Sequence, residues 1–197
     1  VGMSRHVQRR GVKGSLKWMQ RLVAQGPFIG TALANCGALA PGVGFEWRSP
    51  LSDDGWAEYR DDDFLGRVEQ GRLATALAEF WPKRGPQWDG LGIGSNKAVY
   101  LFEAKAHAGE LASSCGAGPQ SMAMISHALE RAKVAFGATL QTDWSRGYFQ
   151  YANRLAHLDF LRRQGVDAKL IFIYFVGDSE MAGPTSIAAW ERITEQV

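Results

Sequence analysis

The chain is poor in the features that mark several protein classes. It has two cysteines, Cys36 and Cys115, among 197 residues. Neither belongs to a CxxC pair, and the four histidines show no zinc spacing, so a disulfide framework and a zinc site are both excluded. Free thiols point to a reducing, cytoplasmic setting. No run of about 18 apolar residues occurs, so no helical membrane span and no membrane partner are expected. The basic N-terminus is not followed by an apolar signal region with a small-residue cleavage site. The net charge of +2 is too small to argue for nucleic acid, yet it leaves room for a local basic patch. There is no internal repeat and no low-complexity tract. What is present is ordinary globular material, 46% hydrophobic and 21% charged. The length suits one domain with one substantial core.

Within that domain, residues 1–61 read as a helical and irregular extension packed on a core of residues 62–197. Val197 falls inside a helical pattern, so the C-terminal end reads as cut. Leu16, Met19, Leu22 and Val23 predict a helix over 14–25, stopped by Gly26 and Pro27. Residues 35–61 are irregular, with a short strand candidate at 43–47. A helix is expected over 62–80, begun by acidic residues that suit the helix dipole and ended by Pro82. Strands are expected at 87–93 and 98–106, joined by GSNK. Helices follow at 119–136 and 143–164. The run KLIFIYFV, 169–176, reads as a strand covered on both faces, and a last helix is expected over 184–196. The order predicts a mixed α/β layer protein, a central sheet with helices packed on it.

The stretch 86–107, PQWDGLGIGSNKAVYLFEAKAH, sets two carboxylates and a lysine into apolar, strand-like sequence. Strand alternation puts Val99, Leu101, Glu103 and Lys105 on one face. Glu103 and Lys105 then project together, about 6.5–7 Å apart along the backbone. A three-residue loop of Ser95, Asn96 and Lys97 sets Gly94 opposite Ala98, and the same register sets Asp89 opposite Glu103. A two-residue loop turns Asp89 to the other face, unless a bulge at Gly90 or Gly92 restores it. Like charges directly opposite destabilise a sheet; a cation between them reverses the sign. Two converging carboxylates make a hard-oxygen site suited to Mg²⁺, with Mn²⁺ as a substitute. A lysine beside them can hold a phosphate oxygen or orient a water. The plain alternative is an edge hairpin whose charges face water, which the apolar VYLF opposes.

Pro86, Asp89, then Glu103 and Lys105 as ExK, with VYLF before them, resemble the PD-(D/E)xK superfamily of restriction-endonuclease-like nucleases. The resemblance covers roughly residues 62–176 and is specific only around the motif. It implies an α/β fold with a central mixed four-stranded sheet flanked by helices in αβββαβ order. It implies Mg²⁺-dependent hydrolysis of DNA, with Asp89, Glu103 and the Ala104 carbonyl as metal ligands and Lys105 assisting the attacking water. A helix glutamate is expected to complete the site, Glu69 first and Glu79 second. Gln150, Asn153 and His157 share a helix face and are candidates to contact metal waters or DNA phosphate, against a solvated face. His107, on the Lys105 face, is a further phosphate candidate, against a surface histidine. SRHVQRRGVKGSLK, with six basic residues in fourteen, suits a nucleic-acid backbone or a solvated terminus. Trp81 and Trp88 are base-stacking candidates or core. The third meander strand is not visible after His107, which leaves the 43–47 segment as its substitute. Rival functions are a non-cleaving nucleic-acid-binding or assembly module and a hydrolase of RNA. Oligomeric state is open, a homodimer included.

Overall fold

The computed structural model describes residues 4–138, 142–195 and 197. Its centre is a four-stranded mixed sheet. In chain order the strands are β2 (Phe45–Ser49), β4 (Gly90–Gly94), β5 (Val99–Lys105) and β6 (Ala168–Tyr174). They lie side by side in that same order. The first three run antiparallel, and β6 runs parallel to β5. A small second sheet pairs β1 (Arg5–His6) with β3 (Glu58–Tyr59), and Tyr59 bridges to Trp88. The chain is thus an α/β protein, as the pattern of elements predicts.

The alternation along β5 divides the core. Tyr100, Phe102 and Ala104 face α1 (Gly14–Ala24) and α2 (Phe28–Asn35), packing with Met19, Leu22, Ile29 and Leu33. Val99 and Leu101 face the opposite way, into a larger core with residues of α3 (Asp61–Arg67), α4 (Ala74–Phe80), α5 (Pro119–Ala135) and α6 (Phe149–Arg163). Tyr100, Phe102, Phe64 and Trp88 are fully buried, each worth about 1.5–3 kcal/mol of hydrophobic stabilisation. A third, small cluster joins Leu111, Tyr151 and Trp190 of α7 (Ile187–Thr194) to Phe172 and Tyr174 of β6.

Several expectations change. The third antiparallel strand is β2, so residues before 62 supply a sheet strand and, through α1 and α2, a covering layer. The expected helix over 62–80 is two helices, broken where Glu69 takes a left-handed conformation with φ 58°. The helix expected from 143 starts at Phe149, because Asp143 first accepts from the backbone N–H of Ser145 and closes a turn. β6 is an edge strand and mostly half-buried rather than covered on both faces. The last helix ends at Thr194; Gln196 lies outside the described residues. Among the described residues no helix is long and apolar enough to cross a membrane.

The glycines of β4 have a packing cause. A Cβ on Gly92 would lie 2.3 Å from the Phe45 ring, and one on Gly90 2.9 Å from Met19. Phe45 and Trp47 of β2 therefore lie across the sheet face where β4 has no side chains, in edge contact with each other and packed on Phe102. The bulge falls in β2, between Trp47 and Ser49, and not in β4.

Candidate active site

The β4–β5 hairpin has the three-residue loop. Gly94 N–H donates to the Ala98 carbonyl at 2.8 Å, and Lys97 occupies the left-handed position with φ 67°. The ladder pairs Leu91 with Leu101 and Gly90 with Phe102. The ladder stops there, with Asp89 in a bend just before β4. Leu91 and Ile93 share a core with Val99 and Leu101; Glu103 continues that face of β5, and Asp89, just before β4, lines the same cleft. β4 begins at Gly90, so Ala104, paired with Ile173 on its β6 side, has no strand partner on its β4 side. Its N–H donates instead to Asp89 Oδ2 at 2.8 Å.

Glu103 and Lys105 are almost fully buried, at 2% and 4% exposure. Lys105 Nζ donates to Glu103 Oε1 at 2.5 Å and to Gln150 Oε1 at 2.7 Å. The other Glu103 oxygen accepts from Arg154 at 2.7 Å. Arg154 also donates to the Gln87 carbonyl and to Asn153 Oδ1, and its guanidinium lies 4.8 Å over the Trp88 ring. These groups open onto a cleft of about 640 Å³, lined also by Asp89, Ala104, Glu58 and Glu110.

The cleft crowds negative charge. Burial, and then the charges of Glu103 and Glu58, push the Asp89 carboxyl well above the usual carboxylate range, against the smaller pull of Arg154. Burial chiefly raises Glu58 as well, although Gln8 and Gln87 donate to it at 2.8 and 2.7 Å. The donor chemistry fits a hard cation: carboxylate oxygens beside a backbone carbonyl at a strand end. Among the described residues no group of three or more His, Cys, Asp or Glu side chains is arranged to hold a metal ion. Two carboxylates and a carbonyl match the few protein ligands that Mg²⁺ takes while it keeps its waters.

The structure brings Asp89, Glu103, Ala104, Lys105, Gln150 and Asn153 to one cleft. It does not bring the others. Glu69 is exposed and ion-paired with Arg48 and Lys97, because the break after α3 turns it outward. Glu79 is also exposed. His157 is 1% exposed, ringed by Phe64, Phe80, Trp81 and Trp88. Its Nδ1 meets the Asn153 carbonyl at 2.8 Å, and burial drives its pKa down to about 3. It is a neutral core residue, not a phosphate ligand. His107 lies outside the cleft lining, 3.6 Å from Glu110. Trp88 is core, with no exposed surface. The basic N-terminal run is partly neutralised, Arg5 by Asp54 and Lys17 by Glu180.

Arg154 and Glu58 are the groups that sequence reasoning missed. Arg154 stands four residues after Gln150, on the same helix stripe, and that spacing was a usable signal. Glu58 reaches the cleft only through the pairing of β3 with β1 and the bridge to Trp88, which no local pattern announces. Comparison with family models, with curated proteins and with solved structures finds no match.

Proposed function

We propose that the cleft hydrolyses phosphodiester bonds of DNA with Mg²⁺ as cofactor, in the manner of PD-(D/E)xK nucleases. The observation that supports this reading is the convergence of Asp89, Glu103 and Lys105 on one open cleft. The element order supports it. α1, β2, β4, β5, the pair α5 and α6, and β6 trace α-β-β-β-α-β, with α3 and α4 inserted after β2.

Asp89, Glu103 and the Ala104 carbonyl are the groups that would hold the cation. When bound, Mg²⁺ polarises a phosphoryl oxygen and makes water a better nucleophile. Lys105 presents an ammonium group at the cleft floor, where it binds a phosphate oxygen or orients the attacking water. Gln150 and Glu103 fix the Lys105 Nζ position. Arg154 anchors Glu103 and the Gln87 backbone, so the α6 stripe holds the strand end in place.

One observation favours the non-cleaving reading: both Glu103 oxygens already meet protein cations. Incubating the protein with linear, nicked, branched and single-stranded DNA, with Mg²⁺ or with EDTA, separates the two. Cleavage in Mg²⁺ alone is expected, and Lys105→Ala should reduce it by about a hundredfold or more while remaining folded, because Glu103 keeps Arg154. Absence of metal-dependent cleavage on every substrate, or an Lys105→Ala protein that cuts normally, contradicts the proposal.

A further inference from the structure

A second cavity, of about 440 Å³, adjoins the cleft and shares Pro86, Phe149 and Asn153 with it as a common wall. We infer that this pocket receives an unpaired nucleobase, so that the substrate is DNA carrying an unstacked nucleotide beside the scissile bond; the inference rests on the nuclease reading above. Half-buried Phe149 supplies the aromatic wall, backed by the buried Trp81 ring stacked on it with centroids 6.4 Å apart and an interplanar angle of 22°. Such a wall takes any base by its face.

Asn153 supplies the polar contact. It is 6% exposed and lines both cavities. Its Oδ1 accepts from Arg154 at 2.9 Å, which fixes the amide orientation. The amide nitrogen has no partner among the described residues, so its N–H groups are available to ring nitrogens and carbonyl oxygens on a base edge. Extruded bases are read by such edge contacts together with stacking. Lys83 and Arg84 stand exposed on the lining, without an ion pair among the described residues. Their loop is pinned by the Arg84 and Gly85 N–H groups donating to Asp61 at 3.1 and 2.8 Å. They are placed for the phosphate of the same nucleotide.

The test is equilibrium binding in EDTA, which makes it independent of cleavage. The probes are a fully paired duplex, the same duplex with one bulged 2-aminopurine, and the duplex with a bulged abasic nucleotide. Stacking of the base is expected to make the 2-aminopurine bulge bind about tenfold more tightly than the other two, with its fluorescence quenched. Ser121→Trp, which fills the pocket from the first turn of α5, is expected to erase the preference and the quenching but to keep the affinity for paired DNA. Equal affinity for base-bearing and abasic bulges, or a preference that survives Ser121→Trp, overturns the inference. A protein that cuts paired DNA in Mg²⁺ but treats the two bulges alike loses this inference and keeps the nuclease reading. A preference without cleavage does the reverse.

Discussion

At the scale of single residues, the chain holds ionisable groups at positions where burial decides their charge. Asp89 is the clearest. Its carboxyl titrates above the ordinary range because burial and two neighbouring carboxylates outweigh Arg154 and the Ala104 N–H. A raised folded-state pKa means stability that is present below the unfolded value, near 3.8, and is lost as pH rises through the folded value. Asp89→Asn mimics the protonated form and can still accept from Ala104. In metal-free buffer at pH 7 it should therefore melt at a higher temperature than the parent, and the gain should shrink toward pH 4. A lower melting temperature at pH 7 would show that no repulsion existed. His157 has the opposite sign. The unfolded chain takes its proton near pH 6.5, and the folded protein takes it only near 3, so stability falls as pH drops through that window. Thermal melts of His157→Gln from pH 7 to pH 4.5 should show a flatter decline than the parent, whatever the variant loses at pH 7. Parallel declines would place the acid sensitivity elsewhere.

At the scale of elements, the hairpin was legible because local chemistry set it. GSNK marks a tight turn, and the three-residue loop that the structure takes is one of the two registers it allowed. The helices α1 and α5 also lie close to where their apolar periodicity put them. Other elements depended on distant contacts. The α3–α4 break comes at Glu69, whose backbone turns over although the apolar spacing of Leu65, Val68 and Leu73 runs straight through it. α2 follows at once on Gly26 and Pro27, residues that read as a stop. β2 was only a short candidate, because its aromatic residues are explained by glycines more than forty positions away in β4. Gly92 tests that coupling. Gly92→Ala puts a methyl group into the Phe45 ring and should cost about 1–3 kcal/mol by overpacking. Adding Phe45→Leu should recover part of that loss. A Gly92→Ala protein with the parent's denaturation midpoint would mean that the two strands do not meet in this way.

At the scale of the whole molecule, the sheet sets two helical layers apart and leaves the acidic strand end facing α6 across an open cleft. Glu103 and Lys105 were readable as neighbours because strand alternation sets them on one face, whereas Asp89 depended on a loop length that the sequence left open. Arg154 and Glu58 were not, since their approach is made by a helix and a short bridge brought in by the tertiary fold. The resulting cleft sets Asp89, Glu103 and Glu58 against Lys105 and Arg154, and a divalent cation would relieve that excess of negative charge. A ligand that binds only the folded state raises its stability by about 2.7 kcal/mol at a hundredfold excess over Kd, or about 5–10 °C for a chain of this size. The most direct measurement is the melting temperature of the parent and of Asp89→Asn, each with EDTA and across a Mg²⁺ titration. The account predicts a saturating rise of that order in the parent and none in the variant. A parent protein indifferent to Mg²⁺, or a variant that gains as much as the parent, would contradict it.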